Sequence, residues 1–227
     1  MSPSALSIVM PVFDEAERMA VALAALAPLR ARDGAELIVV DGGSRDASVA
    51  RCAGLADRVI AAPRGRARQM NAGAAAARGD ALLFLHVDTA LPPGAPAAIA
   101  DALSGHAWGR FDVRIDGRSA LLPAVAALMN LRSRLSGIAT GDQAIFVRRA
   151  AFEAVGGFPD QPLMEDIEIS RRLRRQCGRP ACLRDKVVTS GRRWDRDGAW
   201  RTIVLMWRLR WLYWRGVPPE RLAAAYR

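Results

Sequence analysis

Apolar and polar positions along the chain fall into two alternating periods. Leu6-Ser7-Ile8-Val9-Met10-Pro11-Val12 is a short apolar run of the kind that forms a buried strand. From Glu15 to Arg32 apolar residues then recur at helical spacing, with Met19, Leu23, Leu26 and Leu29 among them. Glu36–Val40 reads as a second strand ending at Asp41, and Gly42-Gly43-Ser44 turns into a helix predicted from Arg45 to about Leu55. Arg58–Ala61 reads as a third strand, 64–78 as an Arg-rich helix and Ala81–Leu85 as a fourth strand. Strands alternating with helices imply right-handed crossovers and a mostly parallel sheet flanked by helices. Ligands of such a sheet bind outside the carboxyl ends of its strands. After Pro92-Pro93 the pattern changes to strands at 107–115 and 143–148, an apolar helix around 121–135 and a helix at 165–176. A last long helix covers 198–215, and a short one follows Pro218-Pro219. No polar or Gly/Ser-rich linker divides residues 1–195, so 1–105 and 106–195 read as two halves of one domain, with 196–227 as a helical extension.

Composition narrows this picture. The chain has 227 residues and 51% apolar content, enough for a full core, so disorder is not expected. Formal charge is +10, and all but one of the basic residues are Arg, Lys186 being the exception. Such a balance favours phosphate-rich or anionic partners. Over half of the excess sits from Arg192 to Arg227, where nine Arg face Asp195, Asp197 and Glu220. Three cysteines, at 52, 177 and 182, form no C-x-x-C pair; neither a disulfide framework nor a structural zinc site is expected, and a cytoplasmic location fits. The approach to Leu6 lacks a basic n-region and a long apolar stretch, so it does not read as a signal peptide, and no apolar run reaches the ~20 residues needed to span a bilayer.

Three polar signatures fall at predicted strand ends: Pro11-Val12-Phe13-Asp14-Glu15, Val40-Asp41-Gly42-Gly43-Ser44-Arg45-Asp46, and Leu85-His86-Val87-Asp88-Thr89. Each alone could be a helix cap worth about 1 kcal/mol. Three on one sheet are accounted for together by a shared ligand. A fourth signature, Gly156-Gly157-Phe158-Pro159 followed by Met164-Glu165-Asp166, lies in the second half.

In this order and spacing the four signatures resemble the family 2 glycosyltransferases, whose pattern runs P-x-x-N/D-E, V-D-D/G-x-S-x-D, an Asp-X-Asp-like motif, then G-G-F and E-D. More narrowly, His86-Val87-Asp88-Thr89, the run Arg64 to Gly73 and Arg192-Arg193-Trp194 look like the bacterial subgroup labelled arsenosugar-biosynthesis or radical-SAM/selenodomain-associated glycosyltransferases. The resemblance covers residues 6 to about 178 and implies a GT-A (Rossmann-like) α/β fold, residues 1–105 taking the nucleotide and 106–195 the acceptor. It implies an inverting enzyme that moves a sugar from a nucleotide diphosphate donor, with UDP expected, to an acceptor the sequence does not identify.

The roles it implies are these. Pro11, Phe13, Glu15, Asp41, Ser44, Arg68, Asn71 and His86 would contact the nucleotide; Asp41 and the Pro11–Phe13 segment suit a base, which needs an acceptor for its imide N–H and a flat apolar wall. Asp88, with His86, would hold Mn²⁺ or Mg²⁺, hard ions suited to carboxylate and phosphate oxygens. His86 stands where the family has the first Asp of its motif, and the alternatives of a ribose contact or a packed core histidine stay open. Met70 stands where the family commonly has Arg, a charge that Arg66 or Arg68 could supply. Asp166 takes the place of the catalytic base, Glu165 stands beside it, and Arg192, Arg193 and Trp194 would face the diphosphate or the acceptor. Ser190 replaces the Gln of the processive Q-x-x-R-W element, so polymer synthesis is not expected.

Trp200, Trp207, Trp211 and Trp214 recur on one helical face with Arg201, Arg208, Arg210 and Arg215 interleaved. That face suits an anionic membrane, with the protein peripheral to it; packing on the catalytic domain or a homodimer partner is the alternative. Two rival functions are a GT-A-like nucleotidyltransferase, although its Gly-rich, basic N-terminal loop is missing, and a non-catalytic binder of anionic membrane or nucleic acid. No DNA- or RNA-binding motif is present, so nucleic acid is not an expected partner.

Overall fold

The structure is a computed structural model that describes residues 6–226. The N-terminal reading above rests partly on residues 1–5, which lie outside that span, as does Arg227. β1 (Leu6–Val12), α1 (Ala16–Asp33), β2 (Glu36–Asp41), β3 (Arg58–Ala61), α2 (Arg66–Ala76) and β4 (Ala81–Phe84) follow the predicted alternation. After β5 (Thr89–Ala90) come α3 (Ala95–Gly105), β6 (Trp108–Asp116), α4 (Leu122–Ser136), β7 (Phe146–Arg148) and α5 (Arg149–Ala154). The chain continues through α6 (Glu165–Cys177), β8 (Ala181–Ser190), α7 (Arg192–Asp197), α8 (Ala199–Trp214) and α9 (Pro219–Tyr226).

These strands build one sheet of eight in the order β3-β2-β1-β4-β7-β6-β8-β5. β1 to β4 are parallel to one another, which gathers their carboxyl ends on one edge. β7 enters antiparallel between β4 and β6, and β5 antiparallel on β8, so the sheet is mixed. β1 and β4 are buried along their whole length, which is why they read as unbroken apolar runs. α2 lies close on that layer only because Gly73 has no side chain: a Cβ there would sit 2.3 Å from Val9 Cγ1 and 2.9 Å from Val40 Cγ2.

Two expectations are corrected. The helix predicted from Arg45 to Leu55 does not form; a single 3-10 turn, Ala50–Cys52, stands there. Asp46 and Ser48 turn their side chains on backbone N–H groups of α1 instead, a local competition that disfavours helix. The strand expected over 143–148 begins at Phe146, because Gly141–Gln143 closes a 3-10 turn with a capping box from Thr140 and Gln143. The extension packs on the domain: Leu209 and Leu222 bury against Leu163 and Met164 at the start of α6.

Candidate functional site

The parallel edge carries the site. At the end of β1 the chain turns through Asp14, at φ 50°, and is stitched to the loop after β2. The Asp14 N–H donates to Ser44 Oγ (3.0 Å), the Arg45 N–H to Asp14 Oδ1 (2.8 Å), the Glu15 N–H to Ser48 Oγ (2.8 Å) and the Ala16 N–H to Asp46 Oδ2 (3.0 Å). These side chains satisfy donors at the start of α1 that the helix itself leaves unpaired. Beneath them, buried Gln69 donates from Nε2 to the carbonyls of Val12 and Val40, both at 2.8 Å, and so ties β1 to β2. Asp41 accepts the N–H groups of Gly43 and Ser44 and shapes that turn. The result is a cavity of about 440 Å³ lined by Phe13, Asp14, Gly42, Gly43, Arg45 and Arg64, with the Arg64 guanidinium 3.9 Å above the Phe13 ring.

A second, tighter cavity of about 120 Å³ lies deeper, where Arg66 and His86 meet Asp142, Glu165, Asp166 and the tail residue Arg210. Asp166 opens α6 after Met164, which is held at φ 66°, and its two oxygens accept the Gly141 N–H (2.9 Å) and the Ile167 N–H (2.7 Å). The loop preceding α6 is pinned by Asn71, which donates to the Phe158 carbonyl (2.8 Å) and accepts its N–H (2.9 Å). Gly141 is held to glycine, since a Cβ would stand 2.5 Å from His86 Nε2. Glu165 is buried and paired with Arg66 at 3.2 Å.

Asp88, two residues after His86, lines a broader groove of about 840 Å³ and pairs with Arg192 at 3.3 Å. Asp88 and Asp166 thus line different cavities, yet both charges act on His86. Burial and the Arg66 charge push the His86 imidazole down to about 4, against the pull of Asp88 and Asp166. The ring is therefore neutral at pH 7. Burial raises Asp88, with Asp142 and Glu15 adding repulsion. Desolvation and Asp166 raise Asp142, and desolvation, opposed by Arg66, raises Glu165. Desolvation lowers Arg210, and desolvation plus the Arg210 charge lowers Arg132 to about 10. Arg132 Nε and Nη2 are buried without a hydrogen-bond partner.

Among the described residues, no group of three or more His, Cys, Asp or Glu side chains converges as a metal cage. Asp88 nevertheless presents a carboxylate to an open groove. One carboxylate is the donor set of an ion that takes its remaining ligands from substrate phosphates and water. The residues present fit such an ion.

Of the expected contacts, Phe13 lines the outer cavity, while Pro11 is buried within β1, and Asp41 and Ser44 shape the adjoining turn. Glu15 pairs with Arg18, and Arg68 with Asp160 at 2.7 Å on the surface. Asn71 spends its amide on Phe158. Arg193 stacks on Tyr226 at 3.6 Å and donates to its carbonyl, holding α9, while Trp194 packs against the core. Asp142 and Arg210 were not singled out as site residues. Asp142 follows a loop glycine with no flanking motif, and Arg210 reaches the cavity only through the fold of the tail.

The sequence model of a family described as glycosyl transferase family 2 matches residues 7–152. No curated protein matches. Among solved structures, residues 1–349 of S. aureus TarS are similar at 18% identity and a TM-score of 0.65, over 82% of this chain and 60% of that one. Glucosyl-3-phosphoglycerate synthase from Mycobacterium tuberculosis, in complex with Mn²⁺, UDP and glucosyl-3-phosphoglycerate, is similar at 19% identity and 0.62, over 82% and 71%. The mannosyltransferase PcManGT from Pyrobaculum calidifontis, in complex with GDP-Man and Mn²⁺, is similar at 18% identity and 0.64, over 83% and 57%. At these identities the likeness is one of fold, and the chain spans about 60% of the length of the TarS fragment.

Proposed function

The chain belongs to glycosyl transferase family 2, and on that premise we propose that it transfers a sugar, with inversion, from a nucleotide diphosphate donor to an acceptor hydroxyl. The observation that carries the reading is the gathering of His86, Asp142 and Asp166 around one cavity, with the Asp88 charge acting on the same imidazole and an aromatic slot at Phe13 on the same sheet edge.

In this reading the base sits in the outer cavity between the Gly42-Gly43 backbone and the wall formed by Phe13 with the Arg64 guanidinium on its ring, and Arg45 adds positive charge. UDP is the nucleotide we assign, supported by its presence in the M. tuberculosis complex and by a TarS structure with UDP-GlcNAc. Asp88, with the neutral imidazole of His86 alongside, would hold Mn²⁺ or Mg²⁺, which when bound neutralises charge on the leaving diphosphate. Arg192, already paired with Asp88, stands where it can meet the same phosphates.

The acceptor oxygen attacks the anomeric carbon from the face opposite the diphosphate. The new C–O bond forms as the bond to the phosphate oxygen breaks, and the hydroxyl proton passes to Asp166. The Gly141 and Ile167 N–H groups orient that carboxylate and keep it from rotating. Arg66 and Arg210 give the same cavity two positive charges that hold the sugar or acceptor side. The test is a screen of nucleotide sugars for thermal stabilisation with Mn²⁺, followed by product analysis. Release of nucleoside diphosphate is the expected result; pyrophosphate would instead identify a nucleotidyltransferase, and no stabilisation by any donor would end the proposal.

A further inference from the structure

α4 and α8 each pack one face on the protein and leave large apolar side chains exposed on the other. On α4, Asn130 and Ser133 are buried while Leu128, Leu131 and Leu135 stand 59%, 53% and 70% exposed. On α8, Trp200, Trp207, Trp211 and Trp214 are 56–70% exposed, and Val204 shares their face. α8 holds no acidic residue, and Arg201, Arg208 and Arg215 are exposed between the indoles. The Arg210 charge acts on Arg132 of α4.

We propose that this surface docks the protein on an anionic lipid bilayer, with the indoles at headgroup level and the arginines on lipid phosphates. Exposed apolar residues in single positions are ordinary, but four tryptophans on one face of a single helix are not. Indole, with an apolar body and one N–H, is the side chain favoured at the boundary of hydrocarbon and water. Arginine between the rings can lay its stem on the apolar layer and reach a phosphate. A second copy of the chain is the poorer occupant, because stacking α8 on itself would set these arginines against their own kind. α8 has 16 residues, and no described helix is long and apolar enough to cross a membrane, so the helix lies in the plane of the surface. Met206 and Arg210 on its other side line the inner cavity, which docking therefore brings within about one helix diameter, ~10 Å, of the headgroups.

The test is flotation of the full chain with vesicles of phosphatidylcholine alone, or containing roughly one third phosphatidylglycerol. The wild type is expected to float with the anionic vesicles and to shift its tryptophan emission to the blue. Trp207→Ala with Trp211→Ala should lower partitioning about a hundredfold, and Leu131→Ser with Leu135→Ser about tenfold, with unchanged circular dichroism. Wild-type binding should also weaken steeply with salt, a readout that needs no variant. Asp166→Asn should float like the wild type, which separates this surface from the catalytic reading. Failure of the wild type to float, flat salt dependence, or equal flotation of the double tryptophan variant would overturn the proposal. So would a lipid-independent dimer in sedimentation that the same variant dissolves, since a second copy would then own the face.

Discussion

Replacing Asp166 by Asn tests the assigned base, and the geometry sets the size of two separate effects. Both carboxylate oxygens accept backbone N–H groups, Oδ1 from Ile167 at 2.7 Å and Oδ2 from Gly141 at 2.9 Å. Asparagine offers one acceptor, so its amide NH₂ must face one of those donors. An unpaired, half-buried N–H costs about 1–2 kcal/mol, which lowers the melting temperature of a chain of this size by roughly 2–8 °C. Turnover should fall far more, by about 10²–10⁴, because the acceptor proton loses its destination. The affinity for UDP with Mn²⁺ should stay within about twofold of wild type, since the loss belongs to the transition state. Initial rates of nucleoside diphosphate release at saturating donor, with a thermal melt of the same sample, measure both. A variant that melts a few degrees lower and still turns over within about threefold of wild type would refute Asp166 as the base.

Other perturbations probe the scaffold. Gln69→Leu should destabilise the chain by about 2–4 kcal/mol in a denaturant titration, because the carbonyls of Val12 and Val40 lose their buried donor; an unchanged midpoint would remove Gln69 from that role. Gly141→Ala forces its Cβ against His86 Nε2 at 2.5 Å, and should cut turnover more than about tenfold for a stability cost of about 1–3 kcal/mol; wild-type kinetics would show that the loop yields freely. Asp57 accepts two bonds from Arg30 and one from the Leu37 N–H, which hold its folded pKa below the ordinary aspartate value. Its contribution is therefore present above that value and is lost as pH falls through the folded pKa. Asp57→Asn should cost about 1 kcal/mol at pH 7 after allowing for solvent screening, with the gap closing in acid; a gap that persisted below pH ~2 would contradict the assignment.

The nucleotide half was legible because β1, β2 and β4 are buried on both faces, so their apolar runs carry little ambiguity, and the polar residues that follow them mark the sheet edge. The stretch after Arg45 was misread because its spacing suits a helix, whereas Asp46 and Ser48 gain more by capping α1 across the loop. β8 went unseen for a different reason. Its pairing with β6 shifts register after Phe111, pushing Arg184 and Asp185 out as a bulge, so ten residues of strand read as a broken, charged segment. α3 was hidden by its position behind Pro92-Pro93 and by small residues with weak periodicity. Asp166 and Asp88 stand out from their motifs as candidates, but no spacing along the chain could place Asp142 and Arg210 on the cavity that Asp166 lines. The one-sided tryptophan face of α8 was readable from intervals of seven, four and three, while the matching apolar face of α4 required the burial of Asn130 and Ser133 to be seen.

The parallel sheet edge is proposed to bind a nucleoside diphosphate through an ion held at Asp88. Calorimetric titration of UDP into the full chain, with Mn²⁺ and then with EDTA, tests it most directly, with Asp88→Ala alongside. The account predicts saturable binding that requires the ion and is lost in the variant; equal binding in EDTA, or undiminished ion-dependent binding by Asp88→Ala, would contradict it.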